Sequence, residues 1–556
     1  MNIKDINSLV ELFFEKEKTL DGKKPFLKSL NPNHPHQYSL EEVSEKILKF
    51  SNSIKNLINK GDRCLLLSEN RPEWLITDLA IMNAGGISVP IFTTYAQSDY
   101  EYIIKDCSPS LIIVSNNSQL KKINKFIKNI KVISFERVDT ESIVLNKIFK
   151  KTFKDNINNS LKRKTPACII YTSGTSGNPK GVVLSHGGIL SNCQGALSLL
   201  NPLIKKKNPI FLTWLPLSHS YEHTVQFIQI FIGAKIFYAE SLEKLIPNMA
   251  RARPTIMTAV PRFYQNLFTK ININFSKQTG LKKTLIFQTI RLGIKVLKNE
   301  NLKVGEKLVN FLCENLVRKK IQKQFGGNLQ AFISGGGALD KKIGEFLNAI
   351  GLPTLQGYGL TEASPVVSCN LPNLVKVETV GPPFSTNNVK IAYDGEILIK
   401  GENVMLGYWN KQEETNEVIK NGWLHTGDIG EVDLNGYLKI TDRKKDIIIN
   451  SGGDNISPSK VENMLCTNQF IKQAFVYGDK KNYLVAILVV ENGKNEEEVN
   501  KIVVELNRNL TLIEKIKKYL IIKEEFTIEN RMLTPTLKLK RKEIIKNYKQ
   551  KLENFY

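Results

Sequence analysis

The stretch ACIIYTSGTSGNPKGVVLSHGGIL, Ala167 to Leu190, opens on an apolar, β-branched run and passes at once into glycines and small hydroxyl residues. The run reads as a strand buried on both faces. In the turn that follows, glycines allow backbone amides to approach a phosphate closely. Thr172, Ser173, Thr175 and Ser176 add hydroxyl donors between Gly174 and Gly177, Lys180 adds charge, and a helix is expected near Gly187. Such a loop suits polyphosphate, but the G-x-x-x-x-G-K-[ST] spacing of a Walker loop is absent. Taken alone, SGTSG is equally compatible with a Gly/Ser turn that holds no ligand.

Working outward, residues 60–215 alternate short apolar runs (RCLLLS, GISVPI, SLIIVS, KVISFE) with stretches of helical period. That rhythm predicts an α/β fold with doubly wound sheets and helices on both faces, which places nucleotide chemistry in loops at the carboxyl ends of the strands. Between Asn266 and Gly326 the pattern becomes helical. In EKLVNFLCENLVRKKI, residues Leu308, Val309, Phe311, Leu312, Leu316, Val317 and Ile321 are expected to form one apolar stripe. Residues 266–325 carry thirteen Lys or Arg against three Glu, a net of +10. A basic amphipathic region of this kind suits a membrane surface, and equally a solvated face over an ordinary core contact. Past Asp442-Arg443-Lys444-Lys445-Asp446, a strand–helix–strand pattern (DIIIN, PSKVENML, QAFVYG, YLVAILVV) is long enough for a second domain. The expected division is a large body, 1–442, and a small mobile α+β domain, 443–556.

A chain of 556 residues, 42% hydrophobic, is globular and too long for one ordinary core. Its formal charge of +24 calls for an acidic partner such as a nucleotide, a polyanionic cofactor, a lipid surface or nucleic acid. Seven scattered cysteines without a Cys-x-x-Cys pair suggest a reducing cytosol. The opening MNIKDINSLVELFFEKEK lacks the apolar core of a secretory signal. The most apolar segment, VQFIQIFIGAKIFYAESL, is interrupted by Gln226, Gln229 and Lys235. The expectation is a cytoplasmic protein, with peripheral contact at the inner face of a membrane left open.

Four further stretches stand in fixed order after the first: SGGGALD (Ser334–Asp340), QGYGLTEASP (Gln356–Pro365), GWLHTGDIGEVDLNGYLKITDRKKDIIINSGGDNISPSKVE (Gly422–Glu462) and LTPTLKLKR (Leu533–Arg541). Together the five resemble the adenylate-forming superfamily, which includes acyl-CoA synthetases, luciferases and nonribosomal adenylation domains. The resemblance runs from about residue 40 to 545. It implies a ligase that joins a carboxylate to ATP as an acyl-adenylate and then transfers the acyl group to coenzyme A. ATP, CoA and a fatty acid would be its substrates and Mg²⁺ its metal; no nucleic-acid partner is implied.

Residue by residue, the resemblance gives Ser173, Gly174, Thr175, Ser176, Gly177 and Lys180 to the ATP phosphates. Gly335, Gly336, Gln356, Gly357, Tyr358, Gly359 and Thr361 go to the adenylate site, with the Tyr358 ring set to stack on adenine. Asp428, with Arg443 nearby, is the ribose acceptor. Glu362 offers the hard oxygen that Mg²⁺ prefers, with Thr172 as its companion. Lys538 is the catalytic cation, although Leu537 stands where glycine is usual and Lys540 and Lys542 lie close by. Lys445 is the hinge about which the small domain turns to exchange the Lys538 face for a CoA-side Gly452-Gly453 face. His219 and Gly337 go to the acyl pocket, beside Glu222 and the TIMTAVPRFY run. PLSHSYEHT, the basic helical insert and the LTPTLKLKR ending resemble the long-chain fatty-acid–CoA ligases. A ligase for medium-chain acids, an acyl-AMP ligase that loads a carrier protein, and a non-enzymatic basic protein remain as alternatives.

Overall fold

The computed structural model describes residues 2–139, 142–149, 157–172, 178–204, 208–468, 470–491, 496–535 and 537–556. The five strands read between residues 60 and 172 all form, at Arg63–Leu67, Ile87–Pro90, Leu111–Val114, Lys131–Ser134 and Pro166–Thr172. They are parallel neighbours in one eight-stranded sheet. Continuous apolar strands are required there because both faces are covered. Leu65, Ile112 and Ile169 pack into an outer cluster, while Leu66, Ile113 and Ile170 point into a larger central core.

A second eight-stranded sheet shares that central core. Its strands Ile210–Thr213, Lys235–Tyr238, Ile256–Ala259, Ala331–Ser334 and Thr354–Gly359 run parallel. Phe211, Ile236, Ile256 and Ile333 face the shared core, whereas Leu212, Phe237, Met257 and Phe332 face an outer layer of helices. The helices Pro72–Asn83, His186–Gly195 and Ser220–Ile232 lie in the shared core and are buried almost all round. A polar side chain in that layer must therefore find its partner inside it. Gln226 donates to Gln229 Oε1 (2.8 Å) and to Thr213 Oγ1 (3.2 Å), and accepts from the Tyr238 hydroxyl (3.0 Å). The two glutamines that interrupt the apolar segment from Val225 thus close a network between strand and helix. Among the described residues, no helix is long and apolar enough to cross a membrane.

Three features depart from the sequence reading. Lys180–Ser185 is a strand, paired antiparallel to Pro166–Thr172 with Thr172 opposite Lys180. The phosphate-type loop therefore connects two strands, and the helix expected near Gly187 follows the second of them, from His186. A five-stranded sheet (Asn388–Ile391, Glu396–Lys400, Ile419–Lys420, Trp423–Val432, Leu438–Arg443) lies against the body and has no counterpart in the sequence reading. The single apolar stripe after Val304 also divides. Val317 and Ile321 pack under the outer helices, while Leu308, Phe311, Leu312 and Leu316 are exposed. At 100° per residue, Leu308 and Ile321 lie far apart around the helix, so the set is wider than one face.

Beyond Arg443, a three-stranded sheet (Ile471–Tyr477, Leu484–Val490, Ile516–Ile522) is covered by the helices Pro458–Leu465, Glu496–Asn507 and Arg541–Glu553. Its two core clusters draw only on residues from Ile448 onward.

The two large sheets are cross-linked by a buried ion pair. Asp78 Oδ2 and His223 Nε2 are 2.9 Å apart, both side chains fully buried, with Trp74 and Phe227 edge-on to the imidazole and Cys168 Sγ 3.7 Å from Nδ1. Burial alone would lower the imidazole pKa, but the Asp78 charge outweighs it and holds His223 above its ordinary value. A group raised on folding stabilises fully below its unfolded pKa, and that contribution fades as pH climbs toward the raised value. Asp78→Ala is therefore expected to cost about 3 kcal/mol, read as a lower urea unfolding midpoint near pH 6. The gap from wild type should narrow in alkaline solution. A gap that widens with pH would remove this pair from the stability account.

Candidate functional site

A cavity of about 480 Å³ opens at the carboxyl ends of the second large sheet, where the five-stranded sheet and the small domain meet the body. One end is apolar, walled by Leu199, Leu200, Phe211, Val225, Ile228 and Phe384. The other carries Lys180, Glu362, Asp428, Arg443, Lys445 and Lys538. Both ends follow from the fold. The apolar wall is the edge of the shared core, and the charged groups come from turns and strand ends that leave it.

Asp428 and Arg443 face each other across adjacent strands, Trp423–Val432 and Leu438–Arg443, with Arg443 Nε 3.2 Å from Asp428 Oδ1. Asp428 Oδ2 accepts a 2.7 Å hydrogen bond from the Tyr358 hydroxyl. Tyr358 lies in the strand Thr354–Gly359, between two glycines that admit no side chain. A Cβ on Gly357 would meet Ser368 O at 3.0 Å, and one on Gly359 would meet Pro365 O at 2.0 Å. The antiparallel neighbour Val366–Cys369 passes too close for anything larger. Gln356 turns inward, its Oε1 accepting from Leu339 N (2.6 Å) and its Nε2 donating to Thr379 O (3.2 Å), so it props the wall it lines.

The strand ends in the turn Thr361–Ala363, which sets Glu362 on the cavity wall. Glu362 Oε1 accepts from the Tyr408 hydroxyl at 2.9 Å, and the carboxylate forms no ion pair among the described residues. Thr361 Oγ1 is 2.9 Å from Ser220 Oγ at the start of the helix Ser220–Ile232. One carboxylate with a hydroxyl such as Thr172 on the same wall is too few ligands for a protein cage. Hard oxygens this few suit a divalent cation that keeps several of its waters.

Lys538 enters from the small domain. The turn before it is closed by Thr534, whose carbonyl accepts from Leu537 N (2.8 Å) and whose Oγ1 accepts from Lys538 N (3.1 Å). Leu537 holds φ of 61°, the left-handed region, which explains why glycine is the usual residue at that point. The Lys538 side chain is accessible along the cavity, yet its amine is ringed by both domains. That enclosure and the neighbouring Arg443 and Lys445 charges draw its pKa down, against the pull of Asp428 and Glu362. Lys445 is lowered likewise, by burial and by Arg443. The bonds that tie the small domain to the body in this position include Arg262 Nη1 to Lys472 O (2.8 Å) and Arg531 Nη2 to Ser98 Oγ (3.1 Å).

His219 caps the helix Ser220–Ile232. Its Nδ1 accepts from Tyr221 N at 3.1 Å, and Phe92 stands edge-on to its ring. Burial and the nearby Lys538 push its pKa down to about 4, so the ring is neutral near pH 7 with its proton on Nε2. Gly335 has no room for a Cβ against the Tyr221 ring (2.9 Å), and Gly336 holds φ of 80°; with Gly337 they line the cavity. Glu222 turns away from the cavity. It is fully buried, accepts a 2.7 Å hydrogen bond from Thr258 Oγ1, and burial raises its pKa to about 7.

The fold thus brings Thr172, Lys180, His219, Gly335, Gly336, Gly337, Gln356, Gly357, Tyr358, Gly359, Thr361, Glu362, Asp428, Arg443, Lys445 and Lys538 to one cavity. Ser173, Gly174, Thr175, Ser176 and Gly177 lie outside the described residues. Gly452 and Gly453 stand apart, in the exposed turn between Ile448–Ile449 and Asn455–Ile456. Two participants escaped the sequence reading. Tyr408 holds Glu362, and its ring lies 4.9 Å below the Lys180 amine; Glu414 forms an ion pair with Lys180. An aromatic after glycine and an acid in a polar helix carry no distinguishing signal until the strand Gly407–Tyr408 pairs with Lys180–Ser185.

Comparisons with known proteins agree with this geometry. The model of the AMP-binding enzyme family matches residues 14–409, and that of the AMP-binding enzyme C-terminal domain matches residues 445–556. Long-chain-fatty-acid–CoA ligase 5 of Rattus norvegicus is 30% identical over 99% of this chain and 89% of its own length. Long chain acyl-CoA synthetase 3 of Arabidopsis thaliana is 30% identical over 93% of this chain and 86% of its own. The ATP-bound crystal structure of MatB from Rhodopseudomonas palustris shares the fold, with a TM-score of 0.76 at 22% identity over 98% of this chain and 100% of that one. The chain belongs to the AMP-binding enzyme family.

Proposed function

We propose that this chain is an AMP-forming ligase that converts a long-chain fatty acid and ATP to an acyl-adenylate and pyrophosphate, then passes the acyl group to coenzyme A. The observation that carries the proposal is the cavity itself. Four cations and two carboxylates stand at one end and an apolar wall at the other, with one of the cations, Lys538, supplied by the small domain. The named activities of the long-chain relatives support the same reading.

In the first half-reaction the carboxylate oxygen attacks the α-phosphate of ATP and pyrophosphate leaves. Asp428 accepts from the ribose hydroxyls while Arg443 and Tyr358 fix its position. Lys538, kept compact by the Thr534 turn, faces the oxygens that gain charge at the new bond, in a site the small domain closes to water. Glu362 and Thr172 would hold Mg²⁺, which supplies charge neutralisation on the phosphates when bound. Lys180 must leave Glu414 to reach a phosphate. The acyl chain lies along Leu199, Leu200, Val225 and Ile228, where each buried methylene contributes about 0.8 kcal/mol. Full-depth burial therefore favours long acids.

In the second half-reaction the small domain, residues 443–556, turns about Lys445. The Arg262 and Arg531 contacts break, Lys538 withdraws, and Gly452-Gly453 comes round so that the CoA thiol reaches the mixed anhydride. Loading of a carrier protein and a preference for medium-chain acids are the competing readings. Acid-dependent ATP–pyrophosphate exchange across chain lengths, followed by acyl transfer to CoA and to a holo-carrier side by side, decides among the three.

Lys538→Ala is expected to lose adenylation by roughly 10²–10³-fold, the usual loss for one transition-state donor. The same folded variant should still convert supplied acyl-adenylate to acyl-CoA. Equal loss in both half-reactions would contradict the alternation. Glu362→Gln keeps size and removes charge, so pyrophosphate release at limiting Mg²⁺ should fall by roughly tenfold or more and recover in part as Mg²⁺ is raised. An unchanged Mg²⁺ dependence would take Glu362 out of the metal site.

A further inference from the structure

The helices Gly280–Leu297 and Val304–Cys313 form an antiparallel pair on the outside of the body. Arg291 Nη1 and Lys295 Nζ both reach Glu306 Oε1, at 2.9 and 2.8 Å, and Cys313 Sγ lies 3.8 Å from Leu285 O. The inner side of the pair is anchored: Gly293 is pressed so closely on Ala349 that a Cβ would fall 2.5 Å from its backbone. The outer side has no cover. Leu281 is 90% exposed, Val304 86%, Leu308 66%, Phe311 65%, Phe287 62% and Leu312 44%. On the second helix, Val304, Leu308, Phe311 and Leu312 fall at i, i+4, i+7 and i+8, one continuous face. The Glu306 and Cys313 contacts set Phe287 opposite the Phe311–Leu312 part of the second helix, so its exposed ring adds to one apolar ridge.

The charge around the ridge is of one sign. Of the three Glu between residues 266 and 325, Glu306 is taken by Arg291 and Lys295 and Glu314 by Arg318. Lys282, Lys283, Lys307 and Lys320 are exposed and form no ion pair among the described residues. An exposed apolar ridge is a docking surface, and its surroundings select the partner. A second copy would set a net +10 against a net +10, which like-charge repulsion opposes. An anionic bilayer offers apolar depth for the ridge and negative headgroups for the lysines together.

We propose that this helical pair docks, ridge first, on an anionic lipid bilayer, with Phe287, Leu308, Phe311 and Leu312 inserted at the acyl boundary and the lysines at the headgroups. The surface lies outside the cavity, so the proposal stands independently of the reaction assigned above. A fatty acid dissolved in the bilayer would nonetheless be met where it resides.

The test is co-sedimentation of the full chain with phosphatidylglycerol-containing vesicles and with pure phosphatidylcholine vesicles, at low and high salt. Wild type should pellet with the anionic vesicles, partly release at high salt, and stay largely in solution with the zwitterionic ones. The triple variant L308S/F311S/L312S should lower partitioning on the order of 100-fold, and K282E/K283E roughly tenfold. Both should retain the wild-type unfolding midpoint and acid-dependent pyrophosphate release with a water-soluble acid. Wild type that stays in solution with anionic vesicles would overturn the proposal, as would variants that pellet like wild type. So would a wild-type dimer that the triple variant converts to monomer, which would give the ridge to a second copy.

Discussion

Like charges held together set the terms for this site. Arg443, Lys445 and Lys538 converge on a cavity that answers them with Asp428 and Glu362, and Asp428 is already committed to Arg443 and the Tyr358 hydroxyl. Cations crowded in a partly enclosed space repel one another: the Arg443 charge draws down the pKa of Lys445 and Lys538, and the Lys445 charge draws down that of Lys538. The arrangement stands because each charge is fixed from a different direction: Asp428 and Arg443 by paired strands, Glu362 by the turn after a strand, Lys538 by another domain. A polyanion entering the cavity neutralises what the protein leaves unbalanced. In the proposed reaction that polyanion is the triphosphate.

The apolar end rests on a different constraint. Two sheets share one core, and the helices between them are buried on nearly every side. Polar groups in that layer are tied to each other, as in the Asp78–His223 pair and the Gln226 network. Leu199, Leu200, Val225 and Ile228 are thereby left to make a wall free of stray donors. Gly335 and Gly336 line the cavity that joins the two regimes and add no side chain to it.

Much of this was legible in the chain. Strands with both faces covered announce themselves as uninterrupted apolar runs, and those between residues 63 and 172 formed where they were read. Motifs dense in glycine and charge carried Tyr358, Glu362, Asp428, Arg443 and Lys538, because close backbone approach and buried charge demand particular residue types. The illegible parts are those set by pairing alone. The strand Lys180–Ser185 is recognisable only once Pro166–Thr172 lies beside it. The strands of the five-stranded sheet are short or half-polar, such as Asn388–Ile391, and take their identity from neighbours distant in sequence. Tyr408 and Glu414 act through contacts that no spacing encodes. The stripe from Leu308 to Ile321 misled for the opposite reason: its residues are apolar on two sides of the helix, and only one side found a core.

The most direct measurement is the pH dependence of amine labelling at Lys538, followed peptide by peptide with a small acylating reagent, in the free protein and with ATP bound. Enclosure and the Arg443 and Lys445 charges should make Lys538 titrate below the ordinary lysine range in the free protein. A bound triphosphate should move it upward and slow its labelling, while exposed lysines such as Lys542 stay unchanged. A Lys538 that titrates like Lys542 and ignores ATP would contradict the account.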